Sequence, residues 1–279
     1  MTKETANNSN ITIFSSTQNS YMASARDLLK GFAFWRLWNL LAWNTLNLRF
    51  KRSWLGLWWI SLSFAVFAIV KIFIFGPVMR EEIAFFGPFL VIGFLFYRFA
   101  SNFIIGGSSV FINAASWIKS EKLPVSVHLY RLISHNLILF TLTAIPSIFI
   151  CLFLRTFNPL ILFILPLVIL TYVVNGLCVS IILGVICTRY RDLMHLITTV
   201  MQVMFFITPI LWVPPETGLR ALVANVNPFT HYINIVRDTA LHNEIPTQSW
   251  LIVGIITISL IFISFYMFTK ARQKIVYWL

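Results

Sequence analysis

Apolar residues run almost unbroken through six stretches of this chain, 57–75, 84–105, 132–154, 160–187, 193–213 and 250–269. About 20 such residues carry an α-helix across the hydrocarbon core of a bilayer. Each stretch is predicted helical, because an open strand in lipid leaves its backbone polar groups unpaired. The fourth is long enough to cross at a tilt or to contain a break, which Pro166 or Gly176 would supply. Ahead of the first span, residues 26–52 mix apolar positions and Trp35, Trp38 and Trp43 with Lys30, Arg36, Asn39, Asn44 and Asn47. The polar positions do not gather on one helical face, yet basic, Trp-rich sequence beside a span is the composition of a helix lying in the headgroup layer. We therefore expect an interfacial amphipathic helix over 26–53, preceded by a disordered, polar cytosolic tail over 1–25. That tail lacks the long apolar run of a removable signal peptide.

The connections are unequal. Two are long, 106–131 and 214–249, and long ordered loops tend to carry function. The second contains a shorter apolar piece, 219–235, interrupted by Asn225, Asn227 and Pro228. It is predicted to be re-entrant or interfacial, and a gate is one use for such a segment. With the amino end inside, fifteen basic residues fall in the inner segments and four (Arg80, Arg155, Arg220, Arg237) in the outer ones, which puts both termini in the cytoplasm. No heptad, repeat or inverted symmetry between halves is visible, so a hallmark of many secondary transporters is missing.

Composition agrees with the pattern. Of 279 residues 58% are apolar and only 11% charged, against about 25% charged in soluble domains, which leaves no room for a large soluble domain. The formal charge of +12 would suggest nucleic acid in a soluble protein; in a membrane chain it reflects orientation and anionic headgroups. Cys151, Cys178 and Cys187 sit in apolar runs without metal-ligand spacing and are expected to be small hydrophobes.

Catalysis finds little support. There is no GxxxxGK[ST] loop to cradle a nucleotide phosphate, so any use of ATP falls to a partner. HExxH and GxSxG are absent, and the nine acids all lie in tails or loops, which removes the residues of a membrane protease, a metal-dependent glycosyltransferase or a carboxylate proton relay. The ionisable residues inside spans are Lys71, Arg98, His135 and His195. A charge in hydrocarbon costs several kcal/mol, so each should face protein, water or a boundary. Lys71 and Arg98 either snorkel or line a polar conduit, and the histidines are expected at boundaries.

Two further signals each have two readings. The aromatic excess, 27 Phe and 10 Trp, is heaviest from Trp54 through Phe99. These rings belong to lipid-facing belts, or some of them line a conduit and stack on sugar rings. The cluster Arg49, Lys51, Arg52 ahead of the first span satisfies the positive-inside rule, and it also suits a lipid phosphate or pyrophosphate at the inner surface.

The stretch Arg49-Phe50-Lys51-Arg52-Ser53-Trp54-Leu55-Gly56-Leu57-Trp58-Trp59 resembles the R-[FY]-x-x-S-x-L-G-x-x-W segment that leads into the first span of type-2 ABC permeases exporting polysaccharides. Arg189-Tyr190-Arg191-Asp192-Leu193, then Thr208-Pro209-Ile210 with Trp212, then Asn227-Pro228 and Arg237, is similar to the second half of that family in order and spacing. The resemblance covers nearly everything after about residue 30 and is most specific for the O-antigen, capsule and teichoic-acid branch. It implies a homodimer working with two copies of a separate ATPase subunit, which binds the ATP and Mg; this chain itself binds no cofactor. The cargo would be a glycan on undecaprenyl or another lipid carrier. The resemblance further implies that 113–124 holds the coupling helix, with Trp117, Lys119, Glu121 and Lys122 as contacts. Arg189, Arg191 and Asp192 would be a secondary contact, and 214–243 short re-entrant periplasmic gate helices. Arg49, Lys51 and Arg52 would hold the carrier's pyrophosphate. The conduit candidates are Trp58, Trp59, Phe64, Phe67, Phe89, Phe205 and Phe206. Lys51, Trp54 and Lys71 depart from the commonest residues of the family.

The expected protein is thus an all-α integral membrane fold with an amino-terminal interfacial helix and a six-span permease domain over 54–279. It would sit in the cell membrane and export lipid-linked polysaccharide. Rivals are an exporter of the same fold for a drug, lipid or haem, an ion-coupled carrier, and a membrane glycosyltransferase.

Overall fold

The computed structural model describes residues 17–121, 123–154 and 158–279, with side chains from Tyr21 onward. All of the regular structure among these residues is helical. In chain order the helices are α1 (Thr17–Ala33), α2 (Trp35–Phe50), α3 (Trp58–Met79), α4 (Ile83–Ser108), α5 (Ala115–Ser120) and α6 (Ser126–Phe153). They continue with α7 (Leu160–Arg189), α8 (Leu193–Ile207), α9 (Leu219–Val226), α10 (Pro228–Leu241) and α11 (Thr247–Trp278). Five of them, α3, α4, α6, α7 and α11, are long and apolar enough to cross a membrane.

The fifth expected span, 193–213, is instead the 15-residue α8, about 22 Å long at 1.5 Å per residue and short of the hydrocarbon thickness. It stops because Pro209 forces Thr208 into extended backbone (φ −73°, ψ 136°). Of the two readings of the fourth span, a tilt or a break, the break is absent. α7 is continuous over 30 residues, with Pro166 in its second turn. At about 45 Å it crosses by tilting or by projecting beyond the core.

The single interfacial helix expected over 26–53 is a pair, parted at Phe34, and helix begins at Thr17, inside the stretch expected to be disordered. Residues 1–16 lie outside the described residues. Tertiary contacts explain the helical start. Asp27 accepts a hydrogen bond from the Ser126 backbone N–H (3.2 Å) and pairs with Arg272 of α11 (3.2 Å), while Ser126 Oγ donates to the Asp27 carbonyl (2.7 Å). α2 buries Ala42 and Leu46, four residues apart, against α6 and leaves Trp35, Leu40, Trp43 and Leu48 exposed. α1, the start of α6 and the end of α11 therefore share one face of the molecule, the α1 face; the α3–α4 turn lies on the opposite face.

α4 is the hub. Two-thirds (67%) of its most apolar stretch is buried, against 17–22% in the other four long helices, whose remaining surface is left to lipid or to another subunit. Lipid tails are as apolar as leucine, so helices associate in a membrane through close packing and interhelical hydrogen bonds. Both occur on α4. Gly107 lies where a Cβ would come within 2.6 Å of the Ser180 Cα, and Gly176 of α7 makes room for the Phe103 ring. Phe96, Phe99, Phe103, Phe140 and Tyr172 form a continuous aromatic cluster between α4, α6 and α7, with centroids 4.5–5.6 Å apart. Ser180 Oγ to the Phe103 carbonyl (3.1 Å), Ser61 Oγ to the Leu142 carbonyl (2.6 Å) and Tyr172 OH to the Tyr232 carbonyl (2.9 Å) tie neighbouring helices.

Candidate functional site

Where α3, α4 and α8 meet, a groove of about 270 Å³ is lined by Lys71, Phe94, Tyr97, Ser101, Ile105, Met201, Gln202, Phe205 and Phe206. The α4 residues fall at 94, 97, 101 and 105, the i, i+3, i+7, i+11 spacing of one helical face. Lys71 Nζ sits 3.8 Å from the centroid of the Phe94 ring and 4.4 Å from that of Phe205, with Phe67 at 6.0 Å. An ammonium against ring faces gains about 0.5–1 kcal/mol at an exposed site and about 2 kcal/mol in a desolvated one, and half-buried Lys71 falls between. Phe205 also meets Phe94, Tyr97 and Phe206 at 5.4–5.8 Å, and the Tyr97 hydroxyl donates to the Met201 carbonyl, which fixes α8 on α4. Arg98, half-buried on the same face of α4, is near enough to repel Lys71 electrostatically. Among the described residues the one ion pair is Arg272–Asp27, so neither Lys71 nor Arg98 has a carboxylate partner.

This arrangement sorts the conduit candidates. Phe67 and Phe206 are exposed (58% and 66%) and Phe205 half-buried, and the three converge on the groove around Lys71. Trp58 and Trp59 are exposed on the first turn of α3. Phe64 and Phe89 are corrections. Phe64 is fully buried and stacks on the inner side of Phe94 (5.0 Å), and Phe89 is buried beneath Arg237, so both are core of the subunit and offer no face to a passing sugar.

Residues 208–246 close the α3–α4 face. Phe229, at the start of α10, meets the ring of Tyr97 (5.5 Å), fourteen residues into α4; His242, just past its end, meets Phe85 (6.4 Å), two residues into α4. α10 thus runs antiparallel to α4 and begins about 20 Å in from the α4 start. Its start is capped: Asn227 Oδ1 accepts from the Phe229 N–H (3.0 Å) and its Nδ2 donates to Thr208 Oγ1 (2.9 Å). Arg237 locks the hairpin. Its side chain, 3% exposed, lies with Cζ 3.7 Å from the Phe89 centroid, and Nη1 donates to the Pro209 carbonyl (2.9 Å). Gly93 leaves the room, since a Cβ there would come within 2.1 Å of Nη2.

On the α1 face, the coupling candidates are exposed and close to one another. Trp117, Lys119 and Glu121 lie on or beside α5, which packs against α11. Arg189, Arg191 and Asp192 form the α7–α8 turn, with Arg189 over Trp278 at the end of α11 (5.7 Å). Lys122 lies outside the described residues. Arg49, Lys51 and Arg52 are exposed at the α2–α3 turn. Sequence reasoning missed a neighbour. A cleft of about 190 Å³ between α2, α4 and α6 is lined by Thr45, Ser109, Asn113, Arg131 and His135, and Arg49 acts electrostatically on His135. The spacing Arg131–His135, one helical turn, was the available signal.

Residues 36–241, from the start of α2 to the last residue of α10, match the protein family described as ABC-2 type transporter. The chain is 23% identical over 234 residues to the O-antigen export system permease protein RfbA of Myxococcus xanthus, covering 82% of this chain and 90% of that protein. It is 27% identical over 233 residues to the O-antigen export system permease protein RfbA of Klebsiella pneumoniae, covering 82% and 89%. The matched segment takes in the groove, the hairpin and both clusters on the α1 face.

Proposed function

The chain belongs to the ABC-2 type transporter family, and from that membership we propose that it is the permease subunit of an ATP-driven exporter of lipid-linked polysaccharide. The observation that carries the cargo is the aromatic groove between α3, α4 and α8, in a chain whose relatives are named for O-antigen export. Sugar rings stack on Phe67, Phe205 and Phe206 through their C–H faces and keep their hydroxyls wet, a contact that tolerates many sugars and lets a polymer slide. Two copies of the chain bring two grooves together, and the wide apolar surface of α3 and α8 supplies their contact. Each copy docks a separate ATPase subunit, which binds ATP and Mg, through α5 and the α7–α8 turn. That face is cytoplasmic, and the membrane is the cell membrane, the inner one if there are two. The pyrophosphate of the carrier meets Arg49, Lys51 and Arg52, with Arg131 and His135 deeper in the adjoining cleft.

Nothing in this work is catalytic. Closure of the ATPase dimer favours one arrangement of the permease halves, and ATP hydrolysis releases it. The test is co-purification from native membranes followed by reconstitution. Recovery of a nucleotide-binding subunit whose hydrolysis rises with lipid-linked glycan supports the proposal. Stimulation by small amphiphiles alone moves the cargo to drugs or lipids, and ion-driven flux without any ATPase overturns the proposal.

A further inference from the structure

Lys71 lines the groove and Arg98 stands beside it on the same face of α4, both without acids, in apolar helices where an unpaired charge costs several kcal/mol. Lys71 is thirteen residues from the start of α3 and eight from its end; Arg98 is fifteen from the start of α4 and ten from its end. Both are near the middle of their helices, too far from either end for the charge to be explained as a boundary anchor. The nine Asp and Glu residues of the chain fall on none of α3, α4, α6, α7, α8 and α11. Lys71 has ring faces for company. A ring quadrupole holds an ammonium in place without neutralising it, so the charge remains available to an anion approaching from the open side of the groove. A groove for neutral sugars needs the rings alone, and a second cation beside Lys71 repels it.

We propose that Lys71, steadied between Phe94 and Phe205 and reinforced by Arg98, selects glycans that carry acidic groups, carboxylate or phosphate, as they pass through the groove. This rests on the export reading above and narrows its substrate class. Gln202 and Ser101, on the groove wall, offer hydrogen bonds to the same group. A partly wet contact of this kind is strong enough to favour an acidic repeat and weak enough to release it, as conduction requires.

The experiment is competition between two glycans in one population of proteoliposomes holding the chain with its ATPase partner. One is a lipid-linked, glucuronate-containing glycan; the other is the same preparation with carboxyl groups reduced to primary alcohols. Length, sequence and carrier pyrophosphate are then equal, and the ratio of the two export rates reports discrimination alone. The wild type should favour the acidic glycan, and Lys71→Gln should lower the ratio about three- to tenfold, the size of one charge-assisted contact in a partly wet site. Lys71→Arg should restore most of it. Arg98→Gln should lower it in the same sense, which keeps the test available if Lys71→Gln fails to insert. A ratio of one in the wild type, or a ratio unmoved by Lys71→Gln and Arg98→Gln, overturns the proposal. If the variants slow both glycans equally, the cations serve the shared carrier phosphate and the proposal is also overturned. If the wild type exports neither glycan, the export reading falls first and takes this inference with it.

Discussion

Replacing Gly93 by alanine tests the Arg237 lock with a single carbon atom. The added Cβ would lie 2.1 Å from Nη2 and 3.3 Å from Cζ, so restoring an ordinary 3.4 Å contact requires the guanidinium to move by roughly 1.3 Å. It has no free direction: the Phe89 ring lies 3.7 Å from Cζ, the Pro209 carbonyl holds Nη1 at 2.9 Å, and the side chain is buried. Overpacking alone costs about 1–3 kcal/mol. Full ejection forfeits a desolvated cation–π contact of about 2 kcal/mol and a charged hydrogen bond of about 1.5–3 kcal/mol. Between these bounds Gly93→Ala should cost about 2–4 kcal/mol, on the order of 4–8 °C in apparent melting temperature by tryptophan fluorescence in detergent. The decisive comparison adds Arg237→Met. With the guanidinium gone the extra methyl has room, so the double variant should melt no lower than Arg237→Met alone, a coupling of at least about 1 kcal/mol. Strictly additive losses, or a Gly93→Ala protein that melts with the wild type, would refute the lock.

Three other outcomes follow from contacts already described. Asp27→Asn removes the charge that faces Arg272 and should destabilise by about 1–2 kcal/mol, with α1 cut more readily by protease; unchanged proteolysis would mean that α1 is held by packing alone. Gly176→Val drives a side chain into the Phe103 ring and should lower recovery of monodisperse protein severalfold, whereas Gly254→Val, at a position with open space, should be neutral. Trp117→Ala combined with Glu121→Ala should leave the permease folded, with an unchanged melting temperature, but cut the glycan-stimulated ATPase rate of the reconstituted complex about tenfold or more; full stimulation would sink the docking assignment.

The lipid-crossing character of the chain was legible from apolar runs alone, and α3, α4, α6, α7 and α11 begin and end within several residues of the expected spans, apart from longer projections into water. What pattern does not carry is facing. A helix that is apolar all round gives no angular signal, so Phe64 and Phe67, three residues apart, look equivalent in sequence although one is core and the other exposed. The same silence hid Phe89, whose partner is a guanidinium 148 residues later. Span 193–213 was overread because the count of apolar residues passed over Pro209, whose effect on Thr208 was available from local sterics. The helix from Thr17 was unreadable because polar residues such as Ser24 and Asp27 are buried there by tertiary contacts. The resemblance finds the α1-face clusters, whereas Arg131 counts in the sequence only toward orientation and His135 only as a boundary residue, so nothing there joins the two.

Gly93 and Arg237 also set a schedule for biogenesis. The notch in α4 is made 144 residues before the side chain that fills it. At about 5–20 residues per second of synthesis, α4 waits roughly 7–30 s with the notch at Gly93 unfilled. During that interval α6, α7 and α8 are made and pack on α4, but the notch stays unfilled until α10 arrives. Final assembly of the hub is therefore a late event, completed when the hairpin folds back in. Lesions in 208–241 should accumulate as inserted, full-length, protease-sensitive protein rather than as chains that fail to enter the membrane.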